Sequence, residues 1–315
     1  MKPNTTKKKN IYLWPEKWRP KTVKDVLLPK QYKKFFNKIV KSKELPNLLL
    51  HSSTPGAGKT TIAKCLCNDL NMEYLYINIS SESGIDTLRS QIQNFAATQS
   101  FDRREKAVIM DEFDGASQQL QQGMRAFIEE FHKTCRFIFT CNYVNKIIPA
   151  LREGRVMVFD FDMSDEKISN EMMPTIFTRM TEILDVEGVD YEKKTVAKLV
   201  KQNYPNNRKV LSLLQKYSEM NGIIDENIFN TQTVDKEFYD LILNKKLTDA
   251  RKYVMEKSYN YDDLFTKLFH EFIPLLENGN RGQGILDIAE YMHRHSFSID
   301  PEINFTALLV ELMSY

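Results

Sequence analysis

The sequence predicts an α/β domain with a parallel sheet, followed by two helical domains. Short apolar runs alternate with amphipathic helical stretches between Leu48 and Phe161, a pattern typical of a parallel sheet covered by helices on both faces. After Phe161 the helical pattern continues and strand patterns cease. A chain of 315 residues is long for a single core, so two or three domains are expected.

Composition restricts the class of protein. Hydrophobic residues make up 42% and charged residues 27% of the chain, as in an ordinary globular protein. The formal net charge is only +2, so contact with nucleic acid would depend on local clusters of Lys and Arg. No apolar run approaches the ~18 residues of a membrane span, and we expect a soluble, cytoplasmic protein with no membrane contact. Four cysteines lack the spacing of a metal site and are expected to be buried thiols: Cys65, Cys67, Cys135 and Cys141.

Three domains are expected from the order of these patterns. Residues 1–162 form the α/β domain, residues 163–228 a small helical domain and residues 229–315 a second helical domain. The first ten residues carry several lysines and almost no apolar side chains, so we expect them to be disordered.

Periodicity of the apolar residues predicts the elements of each domain. In the α/β domain the predicted strands are 48–50, 74–79, 108–110, 137–140 and 156–161, and helical spacing occurs over 59–70, 85–95 and 120–131. Beyond this domain helices are predicted at 166–184, with a kink at Pro174, and at 195–202, 208–220, 237–243, 248–256, 261–276, 284–295 and 301–315.

The first strand runs into a loop rich in Gly and Pro that ends in Gly-Lys-Thr at the start of a helix, a layout typical of a phosphate-binding P-loop. Glycines allow the loop backbone to approach phosphate oxygens, and the helix N-terminus adds its positive dipole end. Lys59 is placed to contact the β- and γ-phosphates of ATP, and Thr60 to bind Mg²⁺. Ser53 stands where the motif usually begins with glycine. The residues expected to contact the nucleotide are Gly56, Ala57, Gly58, Lys59, Thr60 and Thr61.

Polar residues follow the later strands. Asp111 and Glu112 come after the third predicted strand, where Asp111 would hold Mg²⁺ beside the P-loop and Glu112 would activate the attacking water; the alternative is an acidic turn. Asn142 ends the next strand and either orients water at the γ-phosphate or serves as a turn residue. Arg208 begins a helix, where the dipole disfavours a cation, so either an external anion or solvation explains it.

These segments resemble, in order and spacing, those of the AAA+ clamp-loader ATPases. The matching segments are residues 16–20, 55–61, 111–114, 140–142 and 205–208. The length, residues 100–102 and the helical C-terminal third are most similar to the large subunits of the sliding-clamp loaders of T-even-type bacteriophages. Specific motifs support the likeness over residues 13–220, and beyond them it rests on length and helicity.

The resemblance implies an AAA+ P-loop domain, a helical lid domain and a C-terminal helical collar domain used in oligomerisation. It also implies an ATPase that acts in a hetero-pentamer with a small clamp-loader subunit and with further copies of itself. This complex would open a ring-shaped sliding clamp and grip primer-template DNA when ATP binds. Hydrolysis of ATP would release the loaded clamp during DNA replication. If the chain is phage-encoded, it would act in the host cytoplasm.

Individual positions match functional residues of that family. Asn142 matches the sensor 1 residue, and Arg208 matches the sensor 2 residue on the lid. Gln121 and Arg125 match a helix that couples neighbouring sites, and Arg89 points towards the DNA channel. The positions that match the adenine site are Pro15, Glu16, Lys17, Trp18 and Leu27.

The arginine finger departs from the family pattern. The family carries Ser-Arg-Cys shortly after sensor 1, whereas residues 150–155 of this chain are Ala-Leu-Arg-Glu-Gly-Arg. Arg155 is the first candidate for an arginine donated to the neighbour's ATP, and Arg152 is the second. Three further basic residues are candidates for contacts to DNA phosphates, with solvated charges as the alternative: Arg103, Arg104 and Lys106.

Three other functions are open at this point. A non-hydrolysing AAA+ scaffold subunit would explain the altered finger, but it gives no reason to keep Lys59, Asp111 and Glu112. A branch-migration helicase would favour a C-terminal winged helix that contains strands. A small-molecule P-loop kinase fits least, because the acidic pair and Arg208 suit hydrolysis coupled to assembly.

Overall fold

The computed structural model describes residues 13–54, 56–80, 85–98, 104–161, 163–229, 236–257, 259 and 261–315. The chain divides into two compact units, Met1–Asp225 and Glu226–Tyr315. The predicted disorder of residues 1–10, the segment 100–102 and Arg103 all lie outside the described residues. The predicted domain boundaries at residues 162 and 228 stay predictions.

A five-stranded parallel sheet forms the centre of the first unit. Its strands are β1 Leu48–His51, β2 Glu73–Asn78, β3 Lys106–Asp111, β4 Cys135–Cys141 and β5 Met157–Asp160. Their order across the sheet is β2-β3-β4-β1-β5, and every pairing is parallel. The carboxyl ends of β1, β3 and β4 therefore meet at one edge, next to each other in space.

Apolar layers cover both faces of the sheet, which explains why the central strands are nearly continuous apolar runs. Alternate residues of β3 contribute to the two layers: Val108 packs on one face and Ile109 on the other. All six residues of β3 are buried. Because the buried strand is fixed by packing on both faces, the polar residue at its end, Asp111, has a well-defined position.

Among the described residues up to β5, the α-helices are α1 Trp14–Lys17, α2 Lys30–Ser42, α3 Lys59–Asp69, α4 Ile85–Ala97, α5 Gln118–Glu130 and α6 Pro149–Arg152. Local sequence defines several of their ends. Ser117 caps α5, because its hydroxyl accepts from the backbone N–H of Leu120 at 3.2 Å. Pro149 occupies the first turn of α6, where its missing N–H costs no helical hydrogen bond.

In the first unit, the described residues after the sheet form α7 Glu166–Glu187, α8 Lys193–Asn203 and α9 Asn207–Asn221. The α7 helix begins at the cap residue Asp165 and continues through Pro174. Between these helices, β6 Asp190–Tyr191 pairs in parallel with β7 Ile223–Ile224. The prediction that strands cease after Phe161 is therefore wrong. Strands of two residues are too short to give a periodic pattern.

The described part of the second unit is helical: α10 Lys236–Leu243, α11 Leu247–Lys257, α12 Tyr261–Lys267, α13 Asn278–His295 and α14 Pro301–Leu312. The single helix predicted over 261–276 is wrong. After α12 the chain forms a π-helical turn, Leu268–Phe272, and a 3₁₀ turn, Ile273–Leu275. Pro274 explains the break, because its ring excludes the carbonyl four residues earlier from a regular helix.

All four cysteines are buried and free, as predicted. Burial raises the pKa of each thiol to about 12. The reactive thiolate is therefore scarce at neutral pH, and these side chains act as small apolar groups.

Candidate nucleotide-binding site

The P-loop lies between the end of β1 and the start of α3, and its two glycines are required by geometry. Gly56 and Gly58 have φ angles of 79° and 96°, which residues with a Cβ atom rarely adopt. A Cβ atom on Gly56 would also lie 2.3 Å from Oδ1 of Asn206, at the start of α9. Glycine at position 56 thus allows the loop backbone to lie directly against α9.

Lys59 is buried at the start of α3 and points into the loop. Its Nζ atom donates to Oδ1 of Asn142 at 2.8 Å and to the carbonyl oxygens of Ser52 and Thr54 at 3.2 and 3.4 Å. Desolvation by burial lowers the pKa of Lys59, while nearby acidic groups act in the opposite direction. The structure thus brings together two of the predicted site residues, because the ammonium group of Lys59 and the amide of Asn142 are in direct contact.

Asp111 ends β3, and hydroxyl groups from three different elements bond to its carboxylate. Oδ1 accepts from the hydroxyl of Thr60 at 2.7 Å and from the hydroxyl of Thr140. Oδ2 accepts from the hydroxyl of Tyr76 at 2.8 Å. Burial and this hydrogen bond raise the pKa of Tyr76, so the phenol remains a donor at neutral pH.

The oxygen atoms of Thr60 and Asp111 form a donor set suited to Mg²⁺, which prefers hard oxygen ligands. Within the described part of the chain, no group of three or more His, Cys, Asp or Glu side chains could hold a metal by itself. Such a site fits an ion that takes most of its ligands from phosphate and water.

Glu112 occupies a tight turn immediately after Asp111. Its φ angle is 56°, and its backbone N–H donates to the hydroxyl of Thr140 at 3.2 Å, while its side chain is exposed. Two residues later, Oδ2 of Asp114 accepts from the backbone N–H groups of Asn142 and Tyr143 at 3.2 and 3.1 Å. These bonds hold the end of β4 in place and thereby position the amide of Asn142.

A pocket lies between the P-loop, the N-terminal segment and helices α7 and α9. Pro15, Trp18 and Leu27, three residues of the predicted adenine site, line it. The residues that α7 contributes are Arg179, Met180 and Ile183. The guanidinium carbon of Arg179 lies 5.6 Å from the centroid of the Trp18 ring. Aromatic and apolar walls of this kind suit a planar base.

The N-terminal helix α1 is bonded to α7 and α9. The backbone N–H of Trp14 donates to Oε1 of Gln215 at 2.7 Å, and Nε1 of Trp18 donates to Oε1 of Glu187 at 2.6 Å. Lys17 also pairs with Glu187, at 2.6 Å. Lys17 therefore does not line the pocket as predicted, because its ammonium group is held by the carboxylate of α7.

A second cavity adjoins the first and contains the catalytic candidates. Arg208, at the start of α9, is exposed and contributes to both cavities. Glu16 lines this second cavity and not the pocket that Trp18 lines. Its carboxylate pairs with Arg19. The polar residues that line this cavity are Glu16, Arg19, Lys59, Thr60, Tyr76, Asn78, Asp111, Glu112, Thr140, Asn142, Arg208 and Ser212.

Comparison with known proteins identifies the family. Residues 49–163 match the model of the AAA family of ATPases associated with various cellular activities, and residues 168–230 match the AAA+ ATPase lid domain of the sliding-clamp-loader large subunit. The chain is 33% identical over 304 residues to the sliding-clamp-loader large subunit of Enterobacteria phage T4, with 94% of both chains covered. This chain belongs to the sliding-clamp-loader large subunits. It is also 31% identical to the large subunit of Escherichia phage RB69, again with 94% of each chain covered.

The predicted AAA+ fold, ATPase activity and clamp-loader family are thus confirmed. The fold is also similar to that of Thermotoga maritima RuvB, with a TM-score of 0.56 over 78% of this chain and 87% of that chain. At 14% sequence identity this likeness concerns the fold alone. The helicase alternative favoured C-terminal strands, and the second unit has none in the residues that can be described. Among those residues, no helix is long and apolar enough to span a bilayer.

The residues predicted to couple neighbouring sites lie on α5 of this clamp-loader subunit. Gln121 is buried and ties α5 to the loop after β4. Its Nε2 atom donates to the carbonyls of Ala116 and Lys146 at 3.1 Å, and its Oε1 atom accepts from the N–H of Ile148 at 2.8 Å. Nε of Arg125, one turn later, is buried and finds no hydrogen-bond partner within the described structure.

Two candidates for contacts to DNA, Arg89 and Lys106, have different surroundings in the structure. Arg89 is partly exposed on α4 and donates from Nη2 to the carbonyl of Gln119 at 3.3 Å. Lys106 is buried instead of exposed, and its Nζ atom donates to the carbonyls of Phe95 and Thr98 at 2.9 and 2.6 Å. The interpretation of Lys106 as a DNA contact is therefore wrong: its charge caps the C-terminal end of α4.

Replacing Lys106 by methionine is expected to lower the free energy of unfolding by about 1–3 kcal/mol, because the last carbonyls of α4 lose their donor. Urea denaturation measures this change. The affinity of the folded variant for primer-template DNA should stay at the wild-type value. Weaker DNA binding without a loss of stability would contradict this structural role.

The two arginine-finger candidates have different surroundings. Arg155 donates from Nε and Nη2 to Oε1 of Glu129 at 3.0 and 2.6 Å, and from Nη1 to the carbonyl of Ala150 at 2.8 Å. Nε of Arg152 is buried and has no hydrogen-bond partner in the part of the chain that the structure describes. The ion pair of Arg155 is partly open to solvent, because the side chain of Glu129 is 62% exposed and that of Arg155 is 26% exposed.

Several residues of the site were not singled out from the sequence, among them Arg19, Tyr76, Thr140 and Arg179. Arg19 and Thr140 stand inside segments that carry the family resemblance, so position was an available signal. Tyr76 and Arg179 resemble ordinary residues of a strand and of an amphipathic helix. Only the packing of β2 against β3 and of α7 against the P-loop brings them to the site.

Proposed function

We propose that this clamp-loader subunit binds ATP and Mg²⁺ at the P-loop and hydrolyses ATP with Glu112 as the general base. The observation that carries the proposal is the cluster at the carboxyl edge of the sheet, where Lys59 contacts Asn142 at 2.8 Å and Thr60 contacts Asp111 at 2.7 Å. The nucleotide phosphates would lie beside Lys59. Thr60 and Asp111 would hold Mg²⁺, which neutralises charge on the phosphates.

The side chains of the cluster have separate roles. Glu112 accepts the proton of the attacking water, and its exposed carboxylate can take that proton without breaking an internal bond. Asn142 orients the water through its amide, while Asp114 keeps the backbone of Asn142 in place. Arg208 adds positive charge to the cavity from the first turn of α9.

Nucleotide binding is coupled to the position of helices α7 and α9. The P-loop touches α9 at Asn206, and the N-terminal helix that borders the base pocket bonds to both helices. A nucleotide in this pocket contacts the sheet domain and these helices together, so it favours one arrangement of the two. This coupling supports a subunit whose assembly depends on ATP.

The names of the relatives support a clamp-loader complex and a sliding clamp as partners, and the pentamer and the DNA are our further proposal. We place the chain in a hetero-pentamer with a clamp-loader small subunit, where it acts on a ring-shaped sliding clamp and primer-template DNA in the host cytoplasm. Arg89 would contact DNA phosphates, so binding should weaken steeply with salt and show little sequence preference.

Steady-state ATP hydrolysis tests this function. We expect low activity for the subunit alone and an increase of at least about tenfold when the small subunit, clamp and primer-template DNA are all present, because assembly supplies the arginine finger in trans. Omission of the clamp alone is the matched control. Activity that ignores clamp and DNA would contradict the proposal.

A further inference from the structure

The carboxylate of Asp111 is held on both of its oxygen atoms. Two hydroxyl groups, from Thr60 and Thr140, converge on Oδ1. The only hydrogen bond that the described residues give to Oδ2 comes from the hydroxyl of Tyr76, at 2.8 Å. Asp111 therefore depends on Tyr76, an aromatic residue of β2, for the hydrogen bond to its second carboxylate oxygen.

Tyr76 lies on the edge strand, paired with Ile109 of β3. Its ring is supported from α3, where Nζ of Lys64 lies 3.8 Å from the ring centroid. The side chain is 37% exposed. The side chain of Tyr76 thus extends from the edge strand β2 to the end of β3. Lys64 of α3 contacts its ring, and its hydroxyl donates to Asp111.

Two bonds on one oxygen leave the carboxylate free to turn. The χ2 torsion of aspartate is broad, so bonds to Oδ1 alone define the position of that atom and not the plane of the group. A donor on Oδ2 removes this freedom. Hydrogen bonds to charged groups are also stronger than those between neutral groups.

We propose that Tyr76 is a positioning residue for the Mg²⁺ site, fixing the carboxylate plane of Asp111 through Oδ2 so that Oδ1 stays on Thr60. This inference rests on the proposed function, in which Thr60 and Asp111 hold the ion. Tyr76 touches neither nucleotide nor metal in this role. It acts through Asp111 alone.

The test is a Tyr76→Phe variant of the full chain, which keeps the ring and its contact with Lys64. A fluorescent ATP analogue is bound at a fixed concentration while Mg²⁺ is titrated. We expect the Mg²⁺ concentration at half-saturation to rise about tenfold, the lower end of the range for residues behind a metal ligand, because water can partly replace the hydroxyl at this exposed position. Binding of the analogue in excess EDTA should be unchanged.

Tyr74→Phe is the matched control. It makes the same change two residues earlier on the same face of β2, and Tyr74 is not among the hydroxyl donors to Asp111. Its Mg²⁺ titration and its thermal midpoint should equal those of the wild type. Equal loss from both variants would mean that the effect comes from the strand, and would overturn the role of Tyr76.

An Asp111→Asn variant separates this inference from the proposed function. If Asp111→Asn shifts the Mg²⁺ titration and Tyr76→Phe does not, the inference is wrong and the metal site stands. If Asp111→Asn causes no shift, the metal site itself is wrong, and the role of Tyr76 fails with it. A Tyr76→Phe variant that binds the analogue more weakly in EDTA as well would also overturn the inference, since a positioning role acts only through the ion.

Discussion

Glu112→Gln is expected to lower the rate of ATP hydrolysis by about 10²–10⁴-fold, the range for loss of a general base, while ATP still binds. The amide of glutamine keeps the size and the turn geometry of Glu112, but it cannot accept a proton from water. The contacts of Lys59 with Asn142 and of Thr60 with Asp111 persist in this variant, since neither hydrogen bond involves Glu112. The Glu112→Gln variant should therefore keep ATP binding and lose ATP hydrolysis.

Two measurements make this prediction specific. Equilibrium binding of ATP should stay within about twofold of the wild-type value, whereas single-turnover hydrolysis in the complete assembly should almost vanish. Glu130→Gln is the matched control, since it makes the same change at an exposed position on α5 away from the cluster. Turnover by Glu112→Gln at the wild-type rate would assign the base to another residue.

The proximity of the candidate catalytic residues could be predicted because of one topological rule. Lys59, Asp111 and Asn142 follow three strands of a parallel sheet, and the carboxyl ends of such strands share an edge. Spacing in the chain thus becomes proximity in space. The contact of Lys59 with Asn142, 83 positions apart, is the direct consequence.

Contacts between elements were harder to predict. Lys106 begins a strand near several other basic residues, and nothing in that pattern shows that its ammonium group turns inward to the end of α4. Gln121 matched a coupling position, but its three internal bonds depend on how the loop after β4 folds back on α5. Polar side chains of this kind are specified by tertiary packing, which periodicity does not contain.

The lid shows a second limit of prediction from sequence, namely contacts between segments that are far apart in the chain. Its helices were predicted from caps and apolar spacing, yet β6, near the middle of that segment, pairs with β7, near its end. Lys17 illustrates the same limit in the N-terminal helix: family position placed it at adenine, and the structure pairs it with Glu187 of α7. Neither partner could be identified from local sequence.

Arg155→Ala is expected to lower hydrolysis in the complete assembly by about 10³-fold or more, since an arginine finger contributes 10³–10⁵ in rate. ATP binding by the isolated subunit should be unchanged, because Arg155 lies outside both nucleotide cavities. The ion pair of Arg155 with Glu129 does not prevent Arg155 from acting on the ATP of a neighbouring subunit. In the pair with Glu129 the carboxylate side chain is 62% exposed and that of Arg155 is 26% exposed. Ion pairs open to solvent contribute only about 0–1 kcal/mol, so a neighbour's phosphate can replace the exposed carboxylate.

Mixing subunits distinguishes a finger in trans from a structural arginine. An assembly that contains both Arg155→Ala and Glu112→Gln subunits can form sites with an intact base from one subunit and an intact arginine from its neighbour. We expect such mixtures to recover measurable turnover, although each variant alone is inactive. An arginine that acts within its own subunit gives no recovery. Full turnover by Arg155→Ala together with its loss in Arg152→Ala would move the finger to Arg152, the second candidate from the sequence.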